Sequence, residues 1–86
     1  MKILCNINLL DLQSSVYVID ENDQMEPIVS AMVEELPEII AALASTRGIS
    51  DIKLAGCQAY GKALKMQIIE YTMQHYNNNN LQIEIL

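Results

Sequence analysis

One segment of this 86-residue sequence has the residue types and spacing of a phosphate-binding loop. Gly56 and Gly61 are separated by four residues and Lys62 follows directly, after a strand-like run and at the start of a helical one. The backbone N–H groups of such a loop, together with the lysine ammonium, would hold an anion. Ala63 stands where a P-loop carries its Mg²⁺-binding hydroxyl, so the pattern favours nucleotide or anion binding over nucleotide hydrolysis. Alternatively, Gly56 ends a strand and Gly61 allows a helix to pack closely on a sheet.

The remaining reactive side chains predict neither catalysis nor a metal site. His75 is the only histidine of the chain, and a metal site needs further ligands. Cys5 and Cys57 are too few for a disulfide framework and lack zinc-site spacing, so we expect a buried thiol pair if their strands are neighbours. The sequence therefore predicts no catalytic residue, no metal and no cofactor.

Composition limits the class of partner. The net charge is −6, and residues 1–46 carry one lysine against eight acidic residues, a net −7. An acidic chain binds nucleic acid poorly and is better matched to a basic surface. Because no segment has the pattern of a secretion signal or a membrane span, we expect a cytoplasmic protein without a membrane partner.

The first third of the chain predicts three strands joined by polar turns. Residues 2–10 alternate apolar and polar side chains, as a strand with one buried face does. After a turn at Asp11–Ser14, the β-branched and aromatic run Ser15–Ile19 predicts a second strand. A third strand is expected from Met25 to about Val33, at a sheet edge because Pro27 cannot donate to a ladder.

Two helices and two further strands are predicted in the rest of the chain. Pro37 is favourable only in a first turn, so the first helix begins near Glu34–Leu36 and ends at Gly48, a left-handed cap. The run Asp51–Ala55 predicts the fourth strand, and the second helix is expected from about Tyr60 to Tyr76. Four asparagines then break the helix, and residues 81–86 alternate as a last strand.

The second helix is predicted to have two apolar faces. At about 100° per residue, one face carries Tyr60, Leu64, Ile68, Tyr71 and His75. Nearly opposite lie Met66, Ile69, Met73 and Tyr76, with polar flanks between that include Thr72. A helix on one sheet buries a single stripe, so the second face is either partly covered by loops or contacts another protein molecule, often in a two-fold homodimer.

The order βββαβαβ, in a single α/β domain over residues 1–86, resembles the RNase H-like fold of RuvC-type and YqgF-type resolvases. Met1–Ile7 resembles their first strand, and Leu36–Ile40 and Ile52–Gly56 resemble their first helix and fourth strand. Those nucleases hold metal ions with carboxylates on the first strand and after the fourth. Here the corresponding places are occupied by Cys5-Asn6-Ile7 and Gly56-Cys57-Gln58. The resemblance implies a five-stranded mixed sheet in the order 3-2-1-4-5, without the two-metal chemistry.

Three functions follow as hypotheses. The first is a non-catalytic protein-interaction module, acting as a homo-oligomer such as a homodimer or as an accessory or inhibitory factor on another protein; a phage origin would fit a small acidic chain of this kind. Its interface residues would be Met66, Ile69, Met73 and Tyr76. The second is a small nucleotide- or anion-binding protein that uses the Gly56–Ala63 loop. The third is a divergent metal-dependent nuclease.

Overall fold

In the computed structural model, residues 1–11 and 13–86 form five strands and two helices. These are β1 (Lys2–Asn6), β2 (Gln13–Ile19), β3 (Met25–Met32), α1 (Leu36–Arg47), β4 (Asp51–Ala55), α2 (Gln58–Tyr76) and β5 (Gln82–Ile85). Leu12, which the sequence places in a turn, lies outside the described residues. The element order is the predicted one.

The five strands form one mixed sheet in the order β3-β2-β1-β4-β5. β1 is central and pairs antiparallel with β2 and parallel with β4, while β5 lies at an edge, parallel to β4. Parallel neighbours require crossover connections, and the two helices supply them. The predicted strand order is therefore confirmed, and this topology is consistent with an RNase H-like fold.

The core lies between one face of the sheet and both helices. Alternate residues of β1, β2 and β4 belong to the same buried cluster as the inner sides of α1 and α2. Its members include Ile3, Val16, Val18, Leu36, Ile40, Leu43, Ile52, Leu54, Leu64 and Ile68. Full burial of such a side chain contributes about 1.5–3 kcal/mol. The apolar residues that alternate along the strands therefore pack against the inner faces of the helices in a single layer of aliphatic side chains.

Over the described residues, both helices leave the opposite face of the sheet open. Leu4 and Tyr17 are neighbours there and are only half-buried. Beside them, Lys53 Nζ lies 2.7 Å from Glu84 Oε1 and 3.2 Å from Asp51 Oδ1. Hydrogen bonds to Glu84 and then to Asp51 raise the pKa of Lys53. Because Glu84 is exposed and Lys53 and Asp51 are only half-buried, these ion pairs contribute little to stability, but the pair with Glu84 links β5 to β4.

β1 is shorter than the predicted strand over residues 2–10, and β2 begins earlier than predicted. The Asn8 side chain ends β1 because its Oδ1 accepts the N–H of Leu10 at 3.1 Å and that of Asp11 at 3.3 Å, forming a turn. Ser14, predicted in the turn, is fully buried in β2. Its Oγ accepts the Asn8 N–H at 3.1 Å, which satisfies the hydroxyl inside the core.

α1 begins and ends close to the predicted residues. A 3-10 turn at Val33–Glu35 precedes it, and Pro37 lies in its first turn. Gly48 ends the helix at φ +66. The Ile49 N–H then donates to the Ala44 carbonyl at 2.9 Å, and the Ile49 side chain enters the core. The predicted left-handed cap is confirmed, and the burial of Ile49 is the hydrophobic contact that accompanies such caps.

Gly56 and Gly48 both have positive φ, but only Gly56 also lies against another strand. A Cβ at Gly56 (φ +101) would overlap the backbone oxygen of Ile7, whereas a Cβ at Gly48 (φ +66) meets no atom within 4 Å. We expect Gly56→Ala to lower the free energy of unfolding by more than about 3 kcal/mol and Gly48→Ala by about 1–2 kcal/mol. Urea unfolding followed by circular dichroism measures both. Equal losses would contradict the close approach of Gly56 to the end of β1.

Candidate interaction surface

The segment with P-loop spacing does not form a long loop. β4 ends at Ala55 and α2 begins at Gln58, so only Gly56 and Cys57 connect them. Gly61 lies inside the helix, where a Cβ would stand 3.1 Å from Cγ2 of Ile85. The structure therefore places Gly61 where the helix packs closely on β5.

Lys62 lies one residue further along α2 and is exposed. The Lys62 ammonium therefore belongs to the second turn of the helix, and Gly56 packs against the Ile7 backbone just after β1. Anion binding at Gly56, Gly61 and Lys62 stays a prediction.

The carboxyl ends of β1 and β4 meet at the start of α2. The residues there are Asn6, Gly56 and Cys57, and the Ile7 N–H donates to the Ala55 carbonyl at 2.7 Å. Within residues 1–11 and 13–86, no three His, Cys, Asp or Glu side chains lie close enough together to share a metal ion.

The two cysteines have different environments. Both are free thiols; Cys5 is fully buried in β1 and Cys57 is half-buried just before α2. Burial raises the pKa of the Cys5 thiol to about 12 from 9.0, because the core disfavours the thiolate. Cys5 is therefore an inert core side chain at neutral pH.

The buried face of α2 differs from the predicted one. Gly61, Leu64, Ile68 and Thr72 are buried, whereas His75 is exposed and stacks on Tyr71 with ring centroids 4.0 Å apart. Thr72 was predicted on a polar flank. It enters the core because its hydroxyl donates to the Ile68 carbonyl at 2.7 Å, which leaves its methyl group free to pack.

Four large apolar side chains of α2 lie outside the core, and we call them the α2 flank. Met66 is 63% exposed, Ile69 37%, Met73 41% and Tyr76 40%. With Gly61 and Thr72 on the buried face, this flank lies about a third of a turn from its centre, on the side of the helix and not opposite the sheet. These are the residues that the sequence predicts as an interface. Their use as an interface stays a prediction.

Two concavities border the α2 flank. An open groove of about 490 Å³ lies between Lys65 and Ile69 of α2 and residues 81–84 at the edge of the sheet. A smaller one of about 100 Å³ is lined by Ile69, Asn78, Asn79 and Leu81. The surface beside Ile69 is therefore continuous with the outer edge of β5.

The other side of α2 is acidic. A groove of about 400 Å³ between the helices is lined by Glu34, Glu38 and Glu70 together with Tyr60 and Tyr71. Burial raises the pKa of Tyr71, and the nearby Glu38 carboxylate raises it further. This groove lies on the α1 side of α2, and Glu70 at its margin follows Met66 of the flank by one helical turn.

Sequence reasoning missed that Leu81 and Ile83 border the predicted interface. The signal was present in Gly61, because a glycine in a helix often marks close packing. With Gly61 on the buried face, the helical pattern predicts an orientation of α2 closer to the observed one.

Comparison of the chain with protein-family models, with curated proteins and with solved structures gave no match. The likeness to the RNase H-like fold is thus one of topology. Among the described residues, no helix has the length and apolar character needed to cross a membrane.

The buried Cys5 thiol gives the protein an expected alkaline limit. Between pH 9 and pH 12 the folded chain keeps the Cys5 proton and the unfolded chain loses it. The free energy of unfolding should therefore fall as pH rises through this window, and Cys5 should contribute up to about 1.4 kcal/mol per pH unit. Urea unfolding of wild type and Cys5→Ala at several pH values isolates this contribution. Parallel pH profiles for the two proteins would contradict it.

Thiol labelling checks the same environments independently. In native protein a disulfide reagent should label Cys57 and leave Cys5 unlabelled, and urea should release Cys5. Cys57→Ala is the control, because this variant should show no fast thiol.

Proposed function

We propose that this chain is a non-catalytic protein-interaction module that associates with a second copy of itself through the α2 flank. The observation that carries the proposal is the exposure of Met66, Ile69, Met73 and Tyr76 on one side of one helix. A contiguous apolar surface of this kind is typical of interaction sites in soluble proteins. Scattered single apolar residues would need no such explanation.

The chemistry of the α2 flank fits a protein partner. Methionine side chains are flexible and polarizable, so Met66 and Met73 adapt to a facing surface. The phenol of Tyr76 combines a large apolar area with a hydrogen-bonding tip, which suits an interface. The small concavity lined by Ile69 and Leu81 offers a recess for a side chain of the facing molecule. Charged residues are depleted at the core of such contacts, and the four residues of the flank are uncharged.

A second copy is the simplest partner for this surface. In a two-fold contact the same surface occurs on both molecules, so the apolar stripe of one helix meets that of the other. The position of the acidic groove supports this arrangement, because its carboxylates Glu34 and Glu38 come from the α1 side of the groove, outside the α2 flank. Two copies joined through the α2 flank keep their acidic grooves apart. An accessory or inhibitory factor acting on another protein is the alternative form of the same module.

We further propose that the chain is a degenerate member of the RNase H-like fold. The topology supports this assignment. The places where such nucleases carry carboxylates hold Cys5-Asn6-Ile7 and Gly56-Cys57-Gln58 here, which supports a binding role over metal-dependent cleavage. Because a fold does not determine a function, the binding role rests on the α2 flank and not on the fold.

The double variant Met66→Glu/Met73→Glu tests the self-association. Four carboxylates would enter one symmetric contact, so dimerisation should weaken by on the order of 100-fold or more. Light scattering over a range of protein concentrations should show a dimer for the wild type and a monomer for the variant. Circular dichroism should show that both remain folded, because these positions lie outside the core.

Met25→Glu/Met32→Glu is the matched control. Met25 and Met32 are 52% and 37% exposed, but they lie on β3, at the edge of the sheet opposite β5. This variant should remain a dimer, like the wild type. A wild type that is monomeric at every concentration would contradict the proposal, and so would a dimer that only the β3 variant disrupts.

A further inference from the structure

The two edges of the sheet differ in how they are protected. β3 contains Pro27 and pairs with β2 around an irregularity between Val16 and Tyr17, and both features discourage the addition of a further strand. β5 contains no proline, and its pairing with β4 keeps one register throughout. The edge formed by β5, beside α2, therefore lacks both of these protective features.

The outer side of β5 carries backbone groups without a neighbouring strand. The Gln82 N–H donates to the Ser50 carbonyl at 2.7 Å and the Leu86 N–H to the Leu54 carbonyl at 2.8 Å. Because backbone groups alternate along a strand, the N–H and C=O groups of Ile83 and Ile85 point away from β4. Such a row is a template for another strand.

The charge on β5 does not block this edge. Charged side chains commonly protect edge strands. Glu84 is the only charged residue of β5, and Lys53 on the neighbouring strand holds its carboxylate at 2.7 Å on the open face of the sheet. A partner strand approaching in the plane of the sheet would meet a carboxylate that already has a counter-ion.

The β5 edge is also continuous with the α2 flank. Ile69 of the flank shares one groove with Leu81 and Ile83 of the edge region. The Ile83 side chain is on the helix side of the sheet, packed against the core. A molecule that covers the flank therefore reaches the strand edge as well.

We infer that β5 pairs antiparallel with β5 of a second copy, so that one ten-stranded sheet runs through the dimer. This inference rests on the proposed self-association and specifies its geometry. A two-fold axis perpendicular to the sheet makes the paired strands antiparallel and places the two α2 flanks side by side on the same face. The outward N–H and C=O groups of Ile83 and Ile85 then gain hydrogen bonds, and the flank residues are buried together.

The side chains of the strand select the register of this pairing. A two-fold axis at Glu84 would set the two Glu84 carboxylates directly opposite each other, which is unfavourable. An axis at Ile83 instead sets Gln82 opposite Glu84 of the second copy, where an amide can donate to a carboxylate. The register centred on Ile83 is the one we assign.

Amide hydrogen exchange of the full chain, measured by NMR at low and high protein concentration, tests the strand pairing. The Ile83 and Ile85 amides should become at least about tenfold more protected as the dimer forms. The Gln82 and Leu86 amides, which donate to β4, are internal controls and should change less.

Light scattering on the same samples separates the possible outcomes. A dimer in which the Ile83 and Ile85 amides exchange as fast as in the monomer would overturn the strand pairing and leave self-association through the α2 flank intact. A chain that stays monomeric at all concentrations would overturn both.

Disulfide trapping in a Cys57→Ser background tests the register. Gln82→Cys/Glu84→Cys should form a covalent dimer under mild oxidation, because these positions face each other across the axis at Ile83. Glu84→Cys alone should remain uncrosslinked. Efficient crosslinking of the single variant would overturn the assigned register, and absence of crosslinking in both variants would overturn the pairing.

Discussion

The close contact between Gly61 and Ile85 determines how α2 sits on the sheet. A side chain at Gly61 would meet Ile85 at 3.1 Å, so the absence of a Cβ lets the helix axis approach β5. This approach fixes the rotation of the helix, with Leu64 and Ile68 directed into the core. The same rotation leaves the α2 flank beside the strand edge. A single packing contact thus sets both what the helix buries and what it presents outward.

The small size of the domain explains why apolar surface remains. A chain of 86 residues buries little more than about 60% of its unfolded surface, and its two helices cover only one face of the sheet. The open face combines half-buried Leu4 and Tyr17 with the ion pairs of Lys53, whereas the α2 flank carries no charge. A charged group on a contact surface must be desolvated before association, and for this reason the proposed partner site is the uncharged flank and not the open face.

Local signals in the sequence predicted most of the fold. Pro37, Gly48 and the alternation of the strands define elements by short-range stereochemistry, and the structure agrees with them within a few residues. The differences at Ser14 and Thr72 share one cause. Both are polar residues that entered the core because a hydrogen bond satisfies their hydroxyl, and such a partner cannot be recognised from spacing alone. The exact side that α2 exposes depends on a contact 24 residues away along the chain, from Gly61 to Ile85, which no local pattern encodes.

In the proposed dimer, the α2 flank of one molecule faces the α2 flank of the other. The most direct measurement is an isotope-filtered NOE experiment on a dimer of one methyl-labelled and one unlabelled molecule. We expect intermolecular contacts at the methyl groups of Met66, Ile69 and Met73. Intermolecular contacts confined to Leu4 and Ile19 on the open face of the sheet would contradict it.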